Sequence, residues 1–433
     1  MDRLLEVREF ESITCNTDYE IDAAFKYINE EIFTELENLI LAYNDTQEAA
    51  AVDFLKIGVR RNVGKVIQAK NYVGLIQTKS GFQLQILPKI SYHEMDDTKR
   101  IFLRMLRSMK EFQSKVFNDA NLKVDRMNLY EIFINMYIQE VRELIRKGIR
   151  SSYLPVEDNL NFYKGKLIVR EHLKENLVHK ERFYVGYDEF GVNRPENRLI
   201  KSTLLKLQQV SGSAANIKEI SQQLSSFEII ETSTNYIKDI SRVIIDRKTK
   251  VYEQLMRWSK VFLLNQSFTT FSGDTTARAL LFPMEKVFEA YVAQNLKRVL
   301  ADLAWEVSTQ DKGFYLFDTP RQFALRPDIV ITRDDGSKII IDTKWKFLTN
   351  NSRQNYGIAQ ADMYQMYAYS KKYKTPEIWL LYPVNEEVKN VAISFESYDE
   401  NFVETKVNLF FVDVSNIDGS LSMLKERLVK ERV

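Results

Sequence analysis

Two apolar runs, Ile329-Val330-Ile331-Thr332 and Lys338-Ile339-Ile340-Ile341, are separated only by Arg333-Asp334-Asp335-Gly336-Ser337. β-Branched residues at this density favour strands. Gly336 suits the positive-φ position that closes a three-residue loop, so the two strands form a hairpin. The register follows from the loop. If Asp334 to Gly336 turn the chain, Arg333 pairs with Ser337, and counting along the ladder puts Asp328 opposite Asp342. Opposed side chains lie roughly 5 Å apart on one face. Lys344, two residues beyond Asp342, points to that face as well. The other face carries Ile329, Ile331, Ile339 and Ile341, which require a core. The hairpin therefore belongs inside a sheet, and two facing acids there need a positive partner.

A divalent cation meets that need. Mg²⁺ takes one or two carboxylates and several waters at about 2.1 Å per ligand. Such an ion stabilises charge on a phosphate and lowers the pKa of a water. Lys344 is placed to orient or deprotonate that water, or to stabilise the phosphorane. This set suits metal-assisted phosphodiester hydrolysis. The competing reading is an ordinary hairpin with its polar residues in solvent; the apolar flanks favour a site.

Composition bounds the partners. The chain has 433 residues, with 61 Lys and Arg against 60 Asp and Glu, a net charge of +1. A large overall positive field is excluded, and so is an acidic tail protein; a local basic groove is not. Cys15 is the single cysteine, which excludes an intramolecular disulfide and a cysteine-based zinc site. His93, His172 and His179 lack zinc-ligand spacing. No run reaches the roughly 18 apolar residues of a membrane span, and the first residues do not resemble a signal peptide. The expected location is the cytoplasm. Gly58 to Val66 nearly matches a phosphate-binding loop, but the glycine spacing is one residue too long and Val66 stands where Ser or Thr would hold Mg²⁺. It reads as a basic turn, and no nucleotide site is expected in this chain.

The pattern predicts an α+β multidomain protein in three segments. Residues 1–125 form a β-rich module, with a strand over Leu4 to Ile13, a helix over Tyr19 to Tyr43, and strands to Lys89. Residues 126–267 are mainly helical, including Gly165 to Leu177 and Ile240 to Leu264. Residues 268–433 form an α/β domain with a central mixed sheet, the boundary lying in the polar stretch Asn265 to Thr276. Arg142 to Lys174 is basic and holds Tyr153, Phe162 and Tyr163. It suits either a phosphate backbone or a solvated face.

Pro327-Asp328 with Asp342-Thr343-Lys344 matches the PD-(D/E)xK nuclease signature. Glu285 and Glu289 share a helix face before the strands, where that superfamily often has a metal-assisting Glu. Gln365 and Tyr369 fit its QxxxY motif, at i and i+4 of one helix. Leu281 to Glu289, Asp342 to Lys346 and Asp362 to Tyr369 resemble the McrC family, nuclease subunits of McrBC-type modification-dependent restriction systems. Val73 to Ile76, Leu84 to Ile90, Tyr163 to Leu167 and Glu196 to Lys201 extend the resemblance.

The resemblance implies a DNA endonuclease. Asp328 and Asp342, with Glu289, would hold Mg²⁺ or Mn²⁺. Lys344 would act on water, and Gln365 and Tyr369 would orient the site or the DNA. It also implies an McrB-like AAA+ partner that hydrolyses GTP and reads modified bases in double-stranded DNA, with docking through the N-terminal part of this chain. From Phe268 onward there are 21 basic and 23 acidic residues, so capture of DNA is expected to be delegated to that partner. A stand-alone RecB-type nuclease and a non-catalytic scaffold of an AAA+ ring are the rival readings.

Overall fold

The computed structural model describes residues 4–44, 54–78, 80–90, 95–109, 128–246, 249–264, 278–388, 391–398 and 405–430. The boundary expected over Asn265 to Thr276 lies outside the described residues, as does His93. The chain forms two compact units, residues 1–113 with 273–433, and residues 114–272.

The first unit begins with β1 (Leu4–Arg8), β2 (Ser12–Thr14), β3 (Phe25–Tyr27), α1 (Glu30–Asn44), β4 (Leu55–Arg60), β5 (Gly64–Ala69), β6 (Tyr72–Gln77), β7 (Gln83–Leu87) and α2 (Met95–Leu106). The single strand expected over Leu4 to Ile13 is broken at Phe10, whose φ is 67°. The helix expected from Tyr19 starts only at Glu30. Asn29 caps it, accepting from the Ile32 N–H at 3.0 Å, and Phe25 to Tyr27 are claimed by a parallel ladder with β2. The Gly58 to Val66 stretch is the β4–β5 hairpin, with Arg60 opposite Gly64. It is a turn, as expected, and not a phosphate loop.

The second unit holds α3 (Leu129–Lys147), β8 (Ser152–Leu160), β9 (Lys166–Leu167), α4 (Val169–Glu175), β10 (Phe183–Gly191), α5 (Pro195–Val210), α6 (Ala214–Ser225), α7 (Tyr236–Ser241) and α8 (Tyr252–Leu264). Helices make up most of this unit, but β8, β10 and β9 form a three-stranded sheet that the sequence reading did not expect. Few of its side chains are buried, so the alternation that betrays a half-buried strand is faint. The helices expected over Gly165 to Leu177 and Ile240 to Leu264 shrink to α4 and α8, with α7 ending at Ser241.

The first unit resumes with β11 (Arg278–Pro283), α9 (Met284–Val299), β12 (Glu306–Thr309), β13 (Tyr315–Asp318), β14 (Arg321–Ala324), β15 (Ile329–Thr332), β16 (Lys338–Thr343), α10 (Gln360–Tyr373), β17 (Glu377–Pro383), β18 (Ser394–Ser397), β19 (Thr405–Val412) and α11 (Ile417–Lys430). β11 pairs with β6 and completes the sheet β1-β7-β6-β11. Gly74 permits that pairing, since a Cβ there would overlap the Leu280 carbonyl. The N-terminal module and the C-terminal region therefore share a sheet, and a division at 268 into separate domains does not describe them.

The larger sheet has the order β12-β15-β16-β17-β19-β18. β16, β17 and β19 run parallel, and the outer pairs are antiparallel. This is the central mixed sheet expected. Val330, Ile340, Ile378, Leu380, Val407 and Leu409 pack with Met366, Tyr369 and Tyr373 of α10 in one core. Ile329, Ile331, Ile339 and Ile341 are fully buried on the opposite face. There α9 packs on β16, and α11 packs on β19 and on α9. A strand buried on both sides explains why its sequence is almost unbroken isoleucine.

Asn197 and Lys201 turn out to be structural. Asn197 is 0% exposed. Its Nδ2 donates to the carbonyls of Arg150 and Val192 at 3.0 and 2.7 Å, and its Oδ1 accepts from the Tyr252 hydroxyl at 2.8 Å. Lys201 donates to the Glu228 and Ile230 carbonyls. Asn197→Ala leaves two carbonyls and a hydroxyl buried without that partner, and is expected to cost about 3 kcal/mol. Urea unfolding checks this; a loss below about 1 kcal/mol would show that the clamp does not hold these segments.

Candidate active site

The hairpin register matches the sequence arithmetic. Thr332 faces Lys338 and Ile329 faces Ile341. The Arg333 N–H donates to the Ser337 carbonyl at 2.9 Å, and Gly336 has φ 82°. The ladder ends one pair short of the acids. Asp328 lies just before β15, and its Oδ2 accepts from both the N–H and the hydroxyl of Thr343, at 2.7 and 2.6 Å. Its carbonyl accepts from the Gln310 N–H at 3.0 Å. Asp342 ends the alternation on the α10 face of β16 and is 1% exposed.

Lys344 follows in the same extended line, its N–H donating to the Leu381 carbonyl of β17 at 2.9 Å. That bond fixes the backbone from which the side chain reaches back. Its Nζ donates to Asp342 Oδ2 at 2.5 Å and to Gln365 Oε1 at 3.3 Å. Gln365 Nε2 in turn donates to the Tyr369 hydroxyl at 2.6 Å. The i,i+4 spacing on α10 thus delivers the amide to the site, and the buried Tyr369 holds it there. Five of the six candidate residues, Asp328, Asp342, Lys344, Gln365 and Tyr369, form one connected cluster.

Glu289, on α9, stands beside that cluster. Its Oε1 accepts from Gln310 Nε2 at 2.6 Å, and it interacts electrostatically with Asp328 and Lys344. Sequence reasoning missed Thr343 and Gln310. Thr343 was visible as the middle residue of the motif, but its contact with Asp328 depends on the ladder ending where it does. Gln310 carries no local signal at all.

Electrostatics set these groups apart. Burial, then the charge of Asp328, push Asp342 up to about 7, with Lys344 opposing the rise. Burial raises Asp328 too, against the two Thr343 hydrogen bonds. Burial and Asp328 push Glu289 up to about 7. For Lys344, burial pulls downward, yet Asp342 outweighs it and the ammonium is held above its ordinary value. Lys344 is therefore a cation at neutral pH.

Among the described residues no three acidic, histidine or cysteine side chains are gathered closely enough to cage a metal. The fit of a divalent ion rests on the pair instead. Two buried acids that raise each other's cost of ionisation are what a cation relieves. Mg²⁺ commonly takes one or two carboxylates and completes its shell with water. The donors are all oxygen, which suits Mg²⁺ or Mn²⁺.

The model of the McrBC 5-methylcytosine restriction system component family matches residues 67–383. That span is most of the chain. The chain belongs to this family. Among solved structures, it is similar to McrC in a half-complex of the tetradecameric Thermococcus gammatolerans assembly of McrB AAA+ hexamers with bound McrC. The identity is 17%, the TM-score is 0.66, and the match covers 98% of this chain and all of that one. A structure of the Thermococcus gammatolerans McrBC complex matches at 19% identity and a TM-score of 0.49, covering 69% of this chain and 88% of that one. No functionally curated protein matches.

The family span contains Glu289, Asp328, Asp342, Lys344, Gln365 and Tyr369, and leaves β1, β2 and Phe10 outside. The basic stretch Arg142 to Lys174 lies in the second unit, with Tyr153, Phe162 and Tyr163 exposed. His172 is bonded to Asn176 at 3.0 Å and stacks on Phe183; His179 is exposed and pairs with Glu181. No helix of the described residues is long and apolar enough to cross a membrane.

The raised carboxyls make stability depend on pH. A carboxyl whose folded pKa exceeds its unfolded value contributes stability that is full below the unfolded value, near 4, and lost as pH rises through the folded one. For Asp342 and Glu289 that loss falls between about 4 and about 7. The metal-free protein is expected to be less stable at pH 8 than at pH 5. Asp342→Asn should flatten the difference, measured by urea unfolding at both pH values in EDTA; an unchanged slope would show that Asp342 ionises without strain.

Proposed function

We propose that this chain is the metal-dependent DNA endonuclease subunit of an McrBC-like restriction system, with a PD-(D/E)xK catalytic centre. The observation that carries the reading is the cluster at the end of β16, where Asp328 and Asp342 stand with a cationic Lys344 backed by Gln365. Asp328 and Asp342 would hold Mg²⁺ or Mn²⁺, and Glu289 would contribute through a bound water. When bound, the ion lowers the pKa of a water and neutralises charge on the phosphate.

The chain's own residues do the rest. Thr343 keeps Asp328 turned toward Asp342 through its two hydrogen bonds. Lys344, held protonated by Asp342, is not a base. It donates to the non-bridging phosphate oxygen as negative charge builds there, or steers the attacking water by hydrogen bonding. Water adds its oxygen to phosphorus, the P–O bond to the leaving strand breaks, and the proton that the water loses passes through solvent, which protonates the leaving oxygen. Gln365 fixes the position of Nζ, and Tyr369 fixes Gln365.

The partner in this reading is an McrB-like AAA+ protein that hydrolyses GTP. The solved complex in which McrC is bound to McrB AAA+ hexamers supports an AAA+ partner. The substrate is double-stranded DNA bearing modified cytosine, in keeping with the family's description; the partner reads the modification. Lys344→Ala in the assembled complex is expected to slow cleavage of methylated plasmid by about 10²-fold or more. Asp342→Ala should abolish cutting in Mg²⁺, with partner binding and GTP hydrolysis intact. Normal cleavage by Asp342→Ala would sink the assignment. Robust cutting by the purified chain alone would favour the stand-alone RecB-type reading.

A further inference from the structure

A cavity of about 410 Å³ adjoins the acid cluster, lined by Phe10, Lys89, Lys344, Trp345, Lys346 and Phe347. Lys344 belongs to both, so the cavity opens directly onto the proposed chemistry. Part of its wall is rigid. The indole N–H of Trp345 donates to both carboxyl oxygens of the buried Glu9, at 3.2 and 3.0 Å. Glu9 also accepts from the Lys89 N–H at 3.0 Å. Trp345 packs on Phe288 with ring centroids 5.3 Å apart.

Phe10 differs in kind. It is 39% exposed, and its backbone is in the left-handed region at φ 67°. Hydrogen bonds hold it there, from its own N–H to the Ala69 carbonyl and from Gln68 Nε2 to its carbonyl, both 3.0 Å. Gly or Asn takes that conformation with little strain, whereas a bulky residue seldom does. Neither turn chemistry nor core packing asks for a phenyl ring at this position. A partly exposed ring beside a phosphodiester site is a stacking platform for a base.

The charges limit the occupant. Lys89, Lys344 and Lys346 face two acids, Glu285 and Asp362, across the same cavity. So small an excess of positive charge does not trap a bare polyanion; the ligand must bring a flat apolar face as well as a phosphate. The volume is in the range of small-ligand pockets, roughly 300–1,000 Å³, and suits one nucleotide, not a duplex.

We propose that this cavity takes the nucleotide next to the scissile phosphate, with its base on Phe10 and its own phosphate on Lys89 and Lys346. The proposal rests on the nuclease reading, and it assigns β1–β2, outside the family-matched span, a part in positioning the substrate. The test uses the full chain assembled with its AAA+ partner. Duplex DNA containing 4-thiothymidine is irradiated on the complex in Ca²⁺, and crosslinked peptides are mapped. Crosslinks are expected at Phe10 or within Trp345 to Phe347. Phe10→Asn suits the left-handed backbone but lacks the ring. It is expected to raise KM for DNA at least about fivefold, with kcat and GTP hydrolysis unchanged; Phe10→Trp should keep the wild-type values. A wild-type KM in Phe10→Asn, or crosslinks confined to other regions, overturns the proposal. A crosslink at Phe10 with no cleavage by the wild type in Mg²⁺ or Mn²⁺ overturns the nuclease reading and leaves the nucleotide pocket standing.

Discussion

An aspartate that is 1% exposed at the end of a central strand is the constraint around which the rest is arranged. Burying a carboxylate without a partner costs several kcal/mol, and a second acid close by makes it worse. Lys344 offsets part of this, and it can do so only because its backbone continues the ladder to Leu381. Gln365 Oε1 accepts a second hydrogen bond from the ammonium, and the Tyr369 hydroxyl accepts one from Gln365 Nε2. Each group in this chain of donors satisfies the one before it. The arrangement is still not neutral in energy, since Asp342 remains raised to about 7. In the proposed reading, a divalent ion between the two acids would relieve that repulsion.

The N-terminal part of the chain is built into that centre. β11 pairs with β6, and Pro283 ends the strand as α9 begins, with the Met284 N–H donating to the Asn71 carbonyl at 3.0 Å. The position of Glu289 on α9 therefore depends on a sheet whose other strands come from residues 4–87. Glu9 makes the second link. Burial pushes its carboxyl up to about 8, against the hydrogen bonds from Lys89 and Trp345. A buried acid that holds the residue after Lys344 ties the β1–β2 turn to the segment that follows β16.

What the sequence disclosed follows the range of each interaction. The β15–β16 register was legible because a short loop with Gly336 fixes it locally. Gln365 and Tyr369 were legible as a pair because helix geometry sets i and i+4 on one face. Asn197 lies in the Glu196 to Lys201 stretch that resembles the family, but its role was hidden, since its partners Arg150 and Tyr252 are distant in sequence. The same reason hid Glu9 and Gln310. β11 was not expected, because its pairing with β6 spans about two hundred residues and leaves no local trace. The helix expected from Tyr19 failed at Phe25 to Tyr27, where a ladder with β2 prevailed over a helical periodicity. β8 and β10 were missed because exposed strands lack the alternation that burial imposes.

The near-zero net charge takes on a definite meaning beside this geometry. Phosphate contacts that release counterions give affinity without selectivity, in proportion to the number of cations spent. Here the cations near the centre are already engaged or balanced: Lys344 by Asp342, and the lysines of the adjoining cavity by Glu285 and Asp362. A centre of this kind gains little from DNA that merely drifts past it. It gains when a strand is delivered with a base to stack and a phosphate to receive. In the proposed reading, long-range attraction belongs to the partner that holds the duplex, and this chain contributes short-range fit. On the same reading, the low charge and the crowded acids are two consequences of one division of labour, in which indiscriminate cutting is suppressed because the chain does not capture DNA by electrostatics alone.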